Sequence, residues 1–509
     1  GNGTDTFEVI HTGLATIPTT ANLVSIERFA IQDTVHQSLD FSALTSITGI
    51  ELDSGTTVDN ATINTVLGSG QSLTLDSITD GDTAAALLSD GGIKISQPNS
   101  ATSLDLTLDD IGPAAASTNE NVVIDIAGAN VSDLNITSAN DSFVVLENSG
   151  ASISTINIAG SGTLSLIGAL PNSITTINAG TSSAIFTVST GTAGATITGS
   201  SANDFIVLGG GTNNVDSGNG SDTITLSTGN DTVDTGSGSD TVSASSGTNN
   251  ITTGASGDQI TLSGGTNTVN SGASNDQLTI SGGTNNIDTE SGNDQITIGG
   301  GNNTLTTGND NDIISASNGV NNINTGSGND QITLTGGTNT VVTGNNSDTI
   351  NVSGGNNDID TDAGTDQVVL TGGTNDVNTG ANDDTLTLSS GTETVDMGSG
   401  NDTVEAAANL STSDTVNGGD GSGDTIEITA ALTDALTARL LNFEILEIKG
   451  GGGVTHDITG LTGLTSLKAS GALAGAVVIT DLAESAEVDI SAAIGNNLTI
   501  NQINSAGGS

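Results

Sequence analysis

The sequence has no cysteine, no tryptophan and no tyrosine, and only 7 phenylalanines among its 509 residues. Without cysteine there is neither a disulfide framework nor a thiolate metal site. With so few aromatics a thick aromatic core is excluded, and so is a sugar-cleaving cleft with aromatic subsites around paired carboxylates. Basic residues are nearly missing as well. The five are Arg28, Lys94, Arg439, Lys449 and Lys468, with none between residues 95 and 438, against 58 acidic residues and a net charge of −53. Such a surface repels nucleic acid and anionic lipid. No run of 18 apolar residues exists that could span a membrane. Only four prolines and a mean hydropathy of −0.01 argue against simple disorder, despite a Gly-, Ser-, Asn- and Thr-rich text.

What remains is small and β-branched: 71 glycines with abundant Ala, Val, Ile, Thr and Ser. That composition suits a narrow core between closely spaced strands. The order in the text is a repeat. Aspartates stand at Asp204, Asp222, Asp240, Asp258, Asp276, Asp294, Asp312, Asp330, Asp348, Asp366, Asp384 and Asp402, twelve in succession at a spacing of 18. Nine residues after each of the first eleven comes a second mark: Asn213, Asp231, Asn249, Asn267, Asn285, Asn303, Asn321, Asn339, Asn357, Asn375 and Glu393.

Each half of the unit is a Gly-rich turn followed by a short strand. The second and fourth residues after an aspartate are apolar, as at Ile260 and Leu262 or Ile332 and Leu334. This period of two marks a strand with one buried face. After each asparagine the second residue is apolar (Val269, Ile287) and the fourth is usually Ser or Thr (Ser217, Thr253, Thr325). One coil therefore carries two strands across a thin core, and only stacking of coils buries that core.

Before about residue 200 the pattern loosens. Leu134-Asn135-Ile136, Ile156-Asn157-Ile158 and Thr176-Ile177-Asn178 recur at spacings of 22 and 21, as irregular rungs of the same kind. Residues 81–118, with Pro98 and Pro113, are less regular, and a loop or short helix is expected at Thr83–Leu88. The two ends resemble each other: Asp5–Val9 matches Asp424–Ile428, Ser25–Phe29 matches Asn442–Leu446, and Asp40–Thr45 matches Asp457–Thr462. The expected organisation is an irregular β-rich module over 1–118, irregular β-helix rungs over 119–200, a regular roll over 201–428, and a truncated copy of the first module over 429–509. The start at Gly1-Asn2-Gly3 and the end within an apparent strand suggest a piece of a longer protein.

In Thr325-Gly326-Ser327-Gly328-Asn329-Asp330 the glycines permit a tight left-handed turn and aim consecutive carbonyls to one side, and the aspartate closes the turn. The next coil presents the same oxygens one rung away. Carbonyl and carboxylate oxygens in a cage of six or more are what Ca²⁺ takes. Carboxylates about 5 Å apart repel by roughly 0.8 kcal/mol per pair in bulk water, more when partly dehydrated. Calcium is therefore expected to be needed for folding.

These lines resemble the RTX nonapeptide repeat, G-G-x-G-x-D-x-U-x with U apolar. The closest correspondences are Thr235–Val242, Thr325–Ile332 and Met397–Val404, with Gly418–Ile426 carrying one extra residue. The resemblance implies an all-β fold, a right-handed parallel β-solenoid or β-roll with Ca²⁺-binding coils of 18 residues, flanked by less regular rungs. It implies several Ca²⁺ ions, held at Asp5, the twelve aspartates from Asp204 to Asp402, and Asp424. In that family both edges usually carry aspartate. Here the second edge reads Gly-Gly-Thr-Asn, as at Gly264–Asn267. An amide brings no charge, so that edge is expected to bind metal weakly or not at all, and its asparagines to hydrogen-bond as a ladder. About eleven ions on one edge is the resulting expectation.

Other motifs have ordinary readings. GxGxxG-like strings with no helix after them do not bind nucleotides. His11, His36 and His456 are isolated and read as inert surface histidines, and Asn135-Ile136-Thr137 means little in so Asn- and Thr-rich a chain. Outward threonines would suit an ice-binding surface, but strands ordinarily carry them. Acidic, cysteine-free RTX solenoids resemble the surface-layer proteins of Gram-negative bacteria. The resemblance implies a non-enzymatic cell-surface component, exported by type I secretion, whose partner is itself in a calcium-dependent array. Cell-surface polysaccharide is a second candidate partner. The alternatives are the stalk of a large RTX adhesin and the non-catalytic part of a secreted RTX enzyme.

Overall fold

The computed structural model describes residues 6–10, 28–32, 39–44, 46–52, 57–58, 62–80, 92–98, 100–112, 122–127, 130–149, 152–450, 454–470, 477–482, 485–489 and 498–502. The chain forms two compact units, residues 1–259 and 260–509. Each is a parallel β-solenoid.

In the first unit the irregular rungs pair strand on strand in parallel. Ser103–Asp109, Asp133–Ser138, Thr155–Gly160 and Thr176–Ser182 stack with Leu104 opposite Leu134, Leu134 opposite Ile156, and Ile156 opposite Ile177. The expected recurrence of Leu-Asn-Ile and Ile-Asn-Ile is thus a register. The apolar residues are 0–2% exposed, and the asparagines between them bond from rung to rung, Asn157 Nδ2 donating to Asn135 Oδ1 at 2.9 Å. The opposite sheet is built from Val122–Ile126, Ser142–Glu147, Leu164–Ala169 and Phe186–Ser189. From Thr196 the step settles to 18, with Ile197 opposite Val215 and Val215 opposite Val233.

The second unit is the regular array in its purest form. Four-residue strands such as Gln277–Ile280, Gln295–Ile298 and Gln331–Leu334 make a short-strand sheet. Five-residue strands such as Thr284–Asp288, Asn302–Thr306 and Thr338–Val342 make a long-strand sheet. As far as Glu405 these pairs are parallel and in register, so each residue lies against its equivalent 18 residues away; beyond it the steps lengthen, as from Thr403 to Thr425. The apolar alternation has the predicted result: Ile296, Ile298 and Leu305 are 1% exposed, while their strand neighbours face out. The three side chains per coil form a column only because the next coil covers them.

The aspartate loop adds a third, single-residue parallel ladder, running through Ala273, Ser291, Asn309, Ser327, Asn345, Ala363, Ala381 and Ser399. On either side of it the backbone has positive φ, as at Gly326 (90°) and Gly328 (149°). Where glycine is absent in the second unit, Asp310, Asn346, Asp362 and Asn382 hold this conformation, which short polar side chains bear best, and so do Ser274 and Glu290.

Of the likeness between the two ends, one local turn recurs, at Asp40 and at Asp457. Ser42 N donates to Asp40 Oδ1 at 2.9 Å, and Thr459 N donates to Asp457 Oδ1 at 3.2 Å. Leu44 N then bonds Phe41 O, and Leu461 N bonds Ile458 O. Among the described residues the one α-helix is Asp434–Thr437, which the sequence did not announce. The loop or helix expected at Thr83–Leu88 lies outside the described residues, as does Pro113. Among the described residues no helix is long and apolar enough to cross a membrane. His456 corrects the surface reading: it is 0% exposed, its Nδ1 accepts the Leu432 N–H, and burial pushes its pKa down to about 4.

Candidate metal centre: the aspartate ladder

The aspartates of the repeat turn inward, behind the loop that precedes them, and are 0–2% exposed. One oxygen of each is engaged in the same way throughout. In the first unit the backbone N–H of Asp204 donates to Asp222 Oδ1, that of Asp222 to Asp240 Oδ1, and that of Asp240 to Asp258 Oδ1, each at 2.7 Å. In the second unit the same bond links Asp276 to Asp294 at 2.8 Å and Asp294 to Asp312 at 2.9 Å. It recurs at every step to Asp384–Asp402 (2.8 Å), and a 22-residue step then joins Asp402 to Asp424 at 2.9 Å.

The second oxygen is left over. Oδ2 of Asp222, Asp294, Asp312, Asp330, Asp348, Asp366, Asp384, Asp402 and Asp424 is buried and accepts no hydrogen bond. A hydroxyl stands beside many of them, five residues earlier, but it has one proton and gives it to the next coil. Thr325 Oγ1 donates to Thr343 O at 3.1 Å, Thr361 Oγ1 to Thr379 O at 2.8 Å, and Thr379 Oγ1 to Met397 O at 2.8 Å. Asp204 and Asp240 are exceptions: Ser200 N donates to Asp204 Oδ2 at 2.6 Å, and Thr235 Oγ1 donates to Asp240 Oδ2 at 2.5 Å.

A buried carboxylate oxygen without a partner is costly, and the acidities reflect it. Burial pushes Asp222, Asp294, Asp348, Asp402 and Asp424 up to about 6. It pushes Asp312 and Asp384 up to about 7, and the carboxylates one coil away add to the rise in both. No basic residue lies between 95 and 438 to offset that charge.

The loop forms an oxygen-lined cradle against these carboxylates. A Cβ placed on Gly400 would lie 2.2 Å from the Asn382 carbonyl oxygen and 2.8 Å from Asp402 Oδ1. One on Gly364 would lie 1.9 Å from Asn346 O and 2.7 Å from Asp366 Oδ1. The coil before and the coil itself thus bring a backbone carbonyl and a carboxylate to the same point. Among the described residues no three His, Cys, Asp or Glu side chains converge as a metal cluster. A cation at this edge takes backbone carbonyls as well as carboxylates. An oxygen-only set of that kind, with an unfilled anionic valence at each coil, fits Ca²⁺.

The opposite edge has the same position and a different group. Asn267 Nδ2 donates to Asn285 Oδ1 at 2.7 Å, and the bond repeats from Asn285 to Asn303, Asn303 to Asn321, Asn321 to Asn339, Asn339 to Asn357 and Asn357 to Asn375. The second amide hydrogen goes to the turn's own carbonyl, as from Asn339 to Gly336 O at 3.1 Å. Both donors are used, and no charge is buried. The expected amide ladder is present. It ends on a buried acid pair: Asn375 Nδ2 donates to Glu393 Oε1 at 3.3 Å, and Glu393 N donates to Asp414 Oδ1 at 3.3 Å. Burial and the neighbouring Asp414 carboxyl raise the Glu393 pKa. Asp231 is the one aspartate within the series, its Oδ1 accepting from Asn213 Nδ2 at 2.7 Å.

The family model of the RTX calcium-binding nonapeptide repeat matches nine segments between residues 190 and 404. Residues 190–404 are RTX calcium-binding repeats. The RTX region therefore takes multiple Ca²⁺ ions, and the ladder is where its sequence and structure concentrate oxygen. No curated protein matches the chain. One solved structure is similar, that of a hyperactive, Ca²⁺-dependent, β-helical antifreeze protein from an Antarctic bacterium. Its identity is 17% over 64% of this chain and 87% of that one, with a TM-score of 0.30.

The structure brings the sequence-predicted aspartates together from Asp204 to Asp258 in one unit and from Asp276 to Asp424 in the other. Asp5 lies outside the described residues. Two further rows belong to the site beside the aspartates. One is the buried hydroxyl five residues before the aspartate, at Ser217, Thr235, Thr253, Ser271, Thr289 and onward to Thr379. The other is the residue just before it, where Asn275, Asn293 and Asn311 each accept the backbone N–H of the following coil's equivalent at 2.6–2.9 Å. Both recur at 18 in the sequence, so the signal was there without a geometry to interpret it.

Proposed function

We propose that the protein, whose RTX region is a structural, calcium-binding repeat solenoid, is a component of a calcium-dependent, self-assembling array of the surface-layer type on the outside of a bacterial cell, and that it has no catalytic role. The observation that carries this reading is the column of orphaned Oδ2 atoms from Asp294 to Asp424, which makes calcium a structural element of those coils. An acidic chain of this kind stays unfolded where calcium is scarce, folds where it is abundant, and so suits export before folding. The aspartate edge takes about eleven ions, and the amide edge binds metal weakly or not at all. Imaging the purified protein with calcium and with a chelator tests the array. Ordered two-dimensional sheets in calcium that disperse with the chelator are expected, and a failure to form them overturns the reading.

A second reading has its own support. The matching turns at Asp40 and Asp457 show one motif used twice in the chain, as in the modular stalk of a large RTX adhesin. Monodisperse calcium-folded particles that never assemble would favour it.

A further inference from the structure

The acidic residues of the second unit are sorted onto particular surfaces. Fifteen fall between residues 260 and 391. Seven are the buried ladder aspartates, Asp276 to Asp384. Four more, Glu290, Asp310, Asp362 and Asp383, are exposed in the aspartate loops. The remaining four, Asp288, Asp358, Asp360 and Asp376, lie on the outer face of the long-strand sheet. None is on the short-strand sheet or in the turns of the amide edge. From Gln277 to Thr387 every outward residue of the short-strand sheet is uncharged. The column Gln277, Gln295, Ile313, Gln331, Thr349 and Gln367 runs in register along it. Ile313 is 47% exposed near its middle. The neutral stretch stops at Glu405, the next outward residue beyond Thr387 in register.

We infer that this neutral short-strand face is where a second copy of the chain docks, face to face with its own equivalent. The inference rests on the array reading and names its contact. With a net charge of −53 and no basic residue from 95 to 438, two copies cannot meet through charge pairing in this region. Acid-bearing faces repel, so a like copy approaches on an uncharged surface, and of the two here the short-strand sheet offers the flat face while the amide edge is a row of narrow turns. Glutamine suits a self-complementary contact, because its side chain offers a carbonyl acceptor and two N–H donors and can pair with itself. A two-fold arrangement brings the same patch from both copies together. Seven strands at about 4.8 Å spacing and about 13 Å length give about 900 Å² over both partners, near the lower bound for a specific interface. A single pair is therefore weak, and repetition through an array supplies the strength.

The test uses full-length protein in calcium. The pair Gln295→Glu and Gln331→Glu puts charge on the proposed face, and Thr304→Glu with Thr340→Glu puts the same charge on the long-strand sheet. Thr304 and Thr340 there line a groove of about 450 Å³. Sedimentation is expected to show at least a tenfold loss of association for the first pair and little change for the second, with the calcium-induced circular dichroism intact in both. Because the chain has no cysteine, Ser315→Cys gives a clean second readout. It should oxidise to a disulfide-linked dimer in calcium, while Thr304→Cys should not. Association unaffected by the first pair, or lost with the second, overturns this face and leaves the array standing. A wild-type protein that stays monomeric in calcium overturns both.

Discussion

The two edges of one coil differ by a single atom type at equivalent positions, and that difference divides the molecule's chemistry. Asn339 and Asp330 are both buried, and each bonds to its equivalent one coil away. The amide has two donors and one acceptor, so a stack of amides satisfies itself from Asn267 to Asn375. The carboxylate has no donor, so a stack of aspartates borrows backbone N–H groups for Oδ1 and, from Asp294 to Asp424, leaves Oδ2 with nothing. One edge is complete as protein. The other is complete only with a cation or a proton.

The largest expected effect comes from removing calcium. At neutral pH, chelation should abolish the β-sheet circular dichroism of the RTX region, and a retained signal would show that the ladder needs no cation. Next comes exchange of the edges. Asn339→Asp breaks two amide bonds and buries an unpaired charge, and should destabilise the calcium-loaded fold by about 2–4 kcal/mol in thermal or denaturant melts. Asp330→Asn should lower the bound-ion count, measured by elemental analysis, by about two, since one aspartate faces two coil intervals. An unchanged count would separate the ladder from the ions.

Acid sharpens the comparison further. The ladder carboxyls titrate above the ordinary 3.8, at about 6 to 7 where burial is most costly. A raised folded pKa means that the proton favours the fold. This stabilisation is full below about pH 4 and is lost as pH rises through about 6–7. Calcium-free protein should therefore hold more β-structure at pH 5 than at pH 8, as a chelated pH titration would show. A flat profile would break the claim that the carboxylates are what calcium offsets. The smallest effect is that of the hydroxyl row. Thr325→Val removes the bond to Thr343 O and should cost about 1–2 kcal/mol in a melt, with the ion count unchanged.

Much of this was legible in the residues. The step of 18, the two strands per coil and the buried apolar positions all follow from local alternation repeated in register, so Ile296 and Leu305 could be placed inside from the text alone. Asn157 on Asn135 was readable as a rung for the same reason. Less legible were features that depend on how one coil sits over the next. Thr325 reads as an ordinary polar strand residue until the carbonyl of Thr343 is found above it. His456 reads as a surface residue until its neighbours bury it. The pairing of Glu393 with Asp414 joins residues 21 apart, outside the 18-residue step.

Charge, composition and period thus determined the class of structure and the row of carboxylates along one edge, because a repeat of near-identical coils leaves one way to bury three small apolar side chains per turn. Tertiary structure alone decided which oxygen of each aspartate is spoken for, where the threonine protons go, and which outer face stays free of charge. Those depend on contacts between equivalent residues one coil apart, a distance that a linear text encodes as spacing and only stacking turns into geometry.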